Sequence, residues 1–85
     1  MATSGVSVRF TVKMPKLGDA TQSVVVEAWD VAVGTRVHEG ASLMTVETDK
    51  VTTEVPCPVQ GILVEQLVAV GDEVPVGAPI ARVDA

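Results

Sequence analysis

The 85-residue sequence predicts an all-β domain of two packed sheets related by a pseudo-twofold axis. Three observations predict it. Apolar residues make up 47% of the chain and aromatics only 2%, so the core must come from Val, Leu, Ile, Ala and Met. Valine leads that group, and β-branched side chains favour strands over helices. The second observation is punctuation: Gly34, Gly40, Gly71 and Gly77, with Pro56, Pro58, Pro75 and Pro79, cut the chain into short runs. The third is a repeat.

Residues 31–47 laid on residues 68–84, an offset of 37, agree at eight of 17 positions. The identities are Val31, Ala32, Val33, Gly34, Val37, Gly40, Ala41 and Val46 with Val68, Ala69, Val70, Gly71, Val74, Gly77, Ala78 and Val83. Upstream the match needs small gaps: Val26 and Glu27 fall on Val64 and Glu65, Trp29 on Leu67, and Met14 and Pro15 on Val55 and Pro56. That alignment makes the loop after the first strand three residues longer than its counterpart. A fixed internal period is the mark of a duplicated unit, and it favours two symmetric halves over a generic small barrel.

The elements follow in order. Residues 1–5 form a loose N-terminal end, and residues 6–85 form the domain. Val6, Val8, Phe10, Val12 and Met14 alternate with polar residues, the period of a half-buried strand. Further strands are expected at Ser23–Trp29, 42–48, 51–55, 61–67 and 79–83, with short ones near Val37 and Val74. No stretch combines a helical apolar period with caps.

Charge and composition exclude several functions. The net charge is −5, and an acidic chain with two aromatics suits neither nucleic acid nor an anionic membrane. Basic protein partners remain open. The N-terminal residues show neither a signal peptide nor a transmembrane span. One cysteine, Cys57, cannot form an internal disulfide, and its place between two prolines suits packing. His38, the single histidine, falls opposite Pro75 in the repeat, in a solvated turn, and His and Cys lack zinc-site spacing.

The repeat singles out one lysine. The second half ends at Asp84, whose counterpart is Glu47, so residues 48–52 join the two halves. Connectors run over the surface, and Lys50 lies in this one. The turn has no Gly, so the primed hairpin types are disfavoured, and a type I turn centred on Asp49 and Lys50 is permitted. A lone turn lysine is either a solvating residue or, being reachable from all sides, a site of covalent modification. Glu47, Asp49 and Glu54 nearby are either a solvated tip or a docking surface.

The run Glu47, Thr48, Asp49, Lys50, Val51 resembles the attachment motif of lipoyl domains, from the acyltransferase components of 2-oxo acid dehydrogenase complexes. The resemblance spans about Val12 to Asp84. Met14, Pro15, Lys16, Leu17 and Gly18 are similar to the family's opening segment, and Trp29 and Gly34 to its aromatic and turn positions. Glu54, Val55, Pro56, Pro58 and Gly61 resemble the stretch after the modified lysine; Gly71, Asp72, Val74, Gly77, Pro79 and Ile80 resemble the closing one.

The resemblance implies a flattened barrel of two four-stranded antiparallel sheets. It implies lipoate in amide linkage to Lys50, attached by a lipoate ligase or lipoyl transferase. It also implies acyl shuttling among a thiamin-dependent 2-oxo acid decarboxylase, a dihydrolipoyl acyltransferase core and a dihydrolipoyl dehydrogenase. Glu47, Thr48, Asp49 and Val51 flank the lysine. Leu17, Gly18 and Asp19 belong to the loop that such domains use for recognition. The chain is then a carrier rather than an enzyme, either free-standing or part of an acyltransferase chain. Its compartment would be the bacterial cytoplasm or the mitochondrial matrix. Val51 stands where the family most often has Ala, and Ser23 and Val24 stand where it commonly has Glu-Gly. Biotin carriers share the fold but usually have Met on both sides of the lysine, where this chain has Asp49 and Val51. An unmodified structural module of the same fold would not need the lysine.

Overall fold

The computed structural model describes residues 8–17 and 22–85. The expected loose end at 1–5 lies outside the described residues, as do Gly18 and Asp19. The strands are β1 (Arg9–Lys13), β2 (Ser23–Trp29), β3 (Arg36–Val37), β4 (Ser42–Glu47), β5 (Thr52–Pro56), β6 (Gly61–Gln66), β7 (Glu73–Pro75) and β8 (Pro79–Asp84). They form two four-stranded antiparallel sheets, ordered β1-β8-β6-β3 and β5-β4-β2-β7. The first strand begins at Arg9, later than its alternating pattern suggested.

The two sheets are the same sheet twice. An offset of 37 carries β4 onto β8, β2 onto β6 and β3 onto β7, and β1 takes the place of β5. The backbone bonds repeat with it. Asp30 N donates to Leu43 O at 2.9 Å, as Leu67 N does to Ile80 O at 2.9 Å. Gly34 N donates to Leu63 O and Gly71 N to Val26 O. Side chains join in: Trp29 Nε1 donates to Val68 O and Gln66 Nε2 to Val31 O, both at 3.0 Å.

This symmetry corrects the sequence alignment in two places. Val26 is the counterpart of Leu63, so the offset of 37 runs through β2 without a gap. Met14 is the counterpart of Cys57, because Met14 N donates to Ala78 O as Cys57 N does to Ala41 O. The connection from Met14 to Val24 therefore spans ten residues where that from Cys57 to Gly61 spans four. The extra loop is twice as long as the alignment predicted.

The core is aliphatic and paired. Val12 and Val55, Val26 and Leu63, Val37 and Val74, Leu43 and Ile80, and Val46 and Val83 are buried as symmetry mates. Three further pairs differ in size: Met14 with Cys57, Met44 with Ala81, and Val24 with Gly61. The two halves therefore fill equivalent core positions with side chains of different volume.

Strict alternation fails at two matched points. Leu43 and Met44 are consecutive and both buried, as are Ile80 and Ala81. The register shifts there, between Ser42 and Met44 on β4 and between Val12 and Lys13 opposite β8. A bulge inserts one unpaired residue and re-aims the chain, so neighbours can both face inward.

Gly61 has no room for a side chain, since a Cβ there would collide with the Asp84 carbonyl and lie 2.9 Å from Val83 Cγ1. Gly34, at φ +95°, faces open space. Gly61→Ala should cost about 1–3 kcal/mol, because backbone cannot yield as a side-chain tip can. That is a fall of roughly 4–8 °C in Tm per kcal/mol for a domain of this size. Gly34→Ala should cost about 1 kcal/mol, from strain alone. Thermal melts that rank the two variants the other way would contradict this account of the β6–β8 contact.

Candidate functional site

Lys50 sits at the tip of the β4–β5 hairpin, and its side chain is exposed. Glu47 pairs with Thr52 as the last ladder position, leaving Thr48, Asp49, Lys50 and Val51 to turn the chain. None of the described non-Gly residues has positive φ, so the turn is not of a primed type. Thr48 N donates to Val51 O at 2.8 Å. The Thr48 hydroxyl completes the closure. It donates to Val51 O at 2.9 Å and accepts from Val51 N at 3.2 Å and, more weakly, from Lys50 N at 3.4 Å. A threonine side chain thus does locally what a primed turn would do with backbone groups.

The lysine itself is unconstrained. Among the described residues its side chain makes no hydrogen bond or ion pair. Asp49 and Val51 beside it are exposed, Val51 at 60%. The tip therefore pairs a braced backbone with a free amine. Lys16 and Lys13 are also exposed, but they belong to β1 and the segment after it.

Acids surround the hairpin. Residues directly opposite in a ladder share a face, and Thr52, Glu47, Val25 and Glu73 form one such outer row across β5, β4, β2 and β7. Ser23 Oγ donates to Glu73 Oε2 at 2.8 Å. Ser23, Val25, Glu47, Thr48, Asp49 and Glu73 line a shallow cleft beside the turn. Glu54, opposite Thr45, stands on the same outer face one row further from the tip. The strands of this sheet carry Glu27, Glu47, Glu54 and Glu73 and no base. Those of the other sheet carry Arg9, Lys13, Arg36 and Arg82 against Glu65 and Asp84. Arg9 pairs with Asp84 at 3.1 Å and Arg82 with Glu65 at 2.8 Å.

Glu47, Thr48, Asp49, Lys50 and Val51 thus come together as the sequence placed them. Leu17 is half-buried and packs against the core, where it anchors the start of the long loop. Gly18 and Asp19 lie outside the described residues. Ser23, noted in the sequence as a departure from the family's Glu-Gly, lies beside the turn, whereas Glu73 escaped the sequence reading. Glu73 reaches the site through the β2–β7 pairing, a contact of long sequence separation with no local signal. Cys57 is buried in a core position, with Sγ donating to Val59 O at 2.9 Å. His38 is exposed in a turn closed by Ala41 N donating to His38 O at 3.0 Å.

The profile of the biotin–lipoyl family, described as biotin-requiring enzyme, matches residues 10–83. A relative from Corynebacterium glutamicum, the dihydrolipoyllysine-residue acetyltransferase component of a pyruvate dehydrogenase complex, is 46% identical over 72 residues. The match covers 85% of this chain and 11% of that protein. The succinyltransferase component of a 2-oxoglutarate dehydrogenase complex from Bartonella vinsonii is 39% identical, covering 87% of this chain and 18% of its own length. The chain thus spans between a tenth and a fifth of the length of these relatives. The solution structure of the lipoyl domain of the 2-oxoglutarate dehydrogenase complex from Azotobacter vinelandii superposes with a TM-score of 0.69 at 25% identity. That superposition covers 88% of this chain and 95% of the other.

Because the Lys50 side chain is exposed and makes no hydrogen bond or ion pair among the described residues, Lys50→Arg should leave the fold intact. Surface changes of this kind stay within about 0.5 kcal/mol. Thermal melting should place the midpoint within about 2–3 °C of the wild type. A larger fall would mean that the amine is part of the packing after all.

Proposed function

The chain belongs to the biotinyl/lipoyl attachment family, as a lipoyl domain of the kind found in 2-oxo acid dehydrogenase acyltransferase components, and on that premise we propose that it carries lipoate in amide linkage on Lys50 Nζ. One observation carries the reading: an exposed, unpaired lysine at the tip of the hairpin joining two matched halves.

The residues fit the group. In amide formation the ammonium first gives up a proton, the free amine then attacks an ATP-activated carboxyl, the activating nucleotide leaves and a second proton is lost, so the reaction needs an amine free of salt bridges and open to a large enzyme. The hairpin offers that. A lipoyl group bound there supplies a disulfide that accepts an acyl group by reductive transfer. The protein's own part is positioning. The turn fixes the base of the arm, and the lysine stem supplies its reach. Tethering then sets an effective concentration in the millimolar range at each enzyme the tip visits.

The partners follow from the same reading. A lipoate ligase or lipoyl transferase loads the lysine. A thiamin-dependent 2-oxo acid decarboxylase, an acyltransferase core and a dihydrolipoyl dehydrogenase use it. The compartment would be the bacterial cytoplasm or the mitochondrial matrix. Glu47, Asp49 and Glu73 would meet these enzymes first, and charged rims affect the association rate more than affinity.

Incubating the domain with lipoate, ATP and a lipoate ligase should add one lipoyl group, found on Lys50 by intact mass and peptide mapping. A biotin ligase with biotin should add nothing, since Asp49 and Val51 flank the lysine. A biotin adduct without a lipoyl adduct would reverse the assignment. Lys50→Arg should abolish loading. The loaded domain should then be reductively acylated by one of a panel of purified 2-oxo acid decarboxylases in preference to the others. Silence from all of them would point to a different role for the loaded lysine.

A further inference from the structure

Resting on the reading that Lys50 is the modified lysine, we infer that Thr48 is a positioning residue for that modification, its hydroxyl holding the hairpin tip in the shape a ligase accepts. The turn lacks what a two-residue hairpin usually needs. It has no glycine, and none of its residues adopts positive φ. A turn without positive φ is often closed by the fourth residue's N–H donating to the first residue's carbonyl, but here Val51 N donates to Thr48 Oγ1 at 3.2 Å instead. The same oxygen accepts from Lys50 N at 3.4 Å, and the hydroxyl donates to Val51 O at 2.9 Å. One hydroxyl therefore touches the backbone of Lys50 and both polar groups of Val51.

The rest of the tip offers little other bracing. Val51 is exposed, and so are Asp49 and Lys50. One backbone bond, Thr48 N to Val51 O, spans the turn at 2.8 Å. That bond has a counterpart at the other end of the molecule, where Ala85 N donates to Val8 O at 2.9 Å. The sheet ladder thus sets the separation of the strand ends. Among the described residues, the Thr48 side chain is the one that hydrogen-bonds within the loop that carries the lysine. Without it, a ligase would have to order the tip as it bound, and that ordering opposes association.

Thr48→Val keeps the branched shape and removes the hydroxyl, and Thr48→Ser keeps the hydroxyl. Two measurements separate the possibilities: amide hydrogen exchange at Val51 in the unmodified domain, and kcat/KM for Lys50 loading by a lipoate ligase. Thr48→Val should speed Val51 exchange and lower kcat/KM about five- to tenfold, as loss of one or two exposed hydrogen bonds predicts. Thr48→Ser should stay within about twofold of wild type on both. Melting midpoints should stay close together, since the core is untouched. Thr48→Val loading at the wild-type rate, or Thr48→Ser as slow as Thr48→Val, would overturn the inference. A wild-type domain that no ligase loads would instead overturn the attachment reading, and the exchange rates would still show whether the hydroxyl braces the turn.

Discussion

The register of β4 on β5 is the constraint from which the rest of the molecule follows. Met44 and Val46 from one strand and Val55 from its neighbour are buried together. A slip of one residue would turn all of them to solvent, so the aliphatic core permits one pairing. With Glu47 against Thr52 as the final pair, the four residues Thr48 to Val51 must leave the sheet. The bulge at Leu43 adds a second anchor by sending two adjacent side chains inward. The position of Lys50 is in this sense a property of the core, though its side chain never touches it.

Much of this could be read from the sequence, and the failures have physical causes. Strand identity, sheet count and the placement of Lys50 all followed from the alternation and the repeat. The alignment of Met14 with Val55 was wrong by two residues. A two-residue slip preserves the in-and-out alternation, so the pattern alone cannot detect it. Only the matched bonds of Met14 and Cys57 reveal the true pairing. The gap introduced in β2 had a different origin. Val26-Glu27 and Val64-Glu65 are identical pairs one residue out of the true register, and identity outweighed position, although the bulges beside Val26 and Leu63 recur in both halves. Glu73 was invisible for a third reason: it meets the hairpin through β2, 50 residues from its partner Ser23 in the chain.

The two halves agree where they build the core and differ in the loop and the surface around the Lys50 hairpin. Core positions, turn bonds and bulges recur with the repeat. The long loop before β2 does not, and it delivers Ser23 to the cleft beside the turn. Charge is divided as well, with only acids on the strands of the hairpin's sheet and mostly bases on those of the other. Such a division gives the domain a dipole that can orient it on approach to a charged partner. Symmetry builds the core, and the departures from it gather on the face that carries Lys50.

A rigid domain is well suited to an arm whose flexibility must lie in one place. Motion in the sheets would blur the position of the arm's base and dilute its effective concentration at a partner's site. The ladders and the buried core hold the strands in one register, and the Thr48 hydroxyl ties the turn to the strand end. Beyond the Lys50 backbone the constraint stops abruptly, since no group among the described residues holds the side chain. The boundary between fixed and free therefore falls at one Cα–Cβ bond. An arm attached at Lys50, as proposed, would pivot there, just beyond a turn that the Thr48 hydroxyl braces.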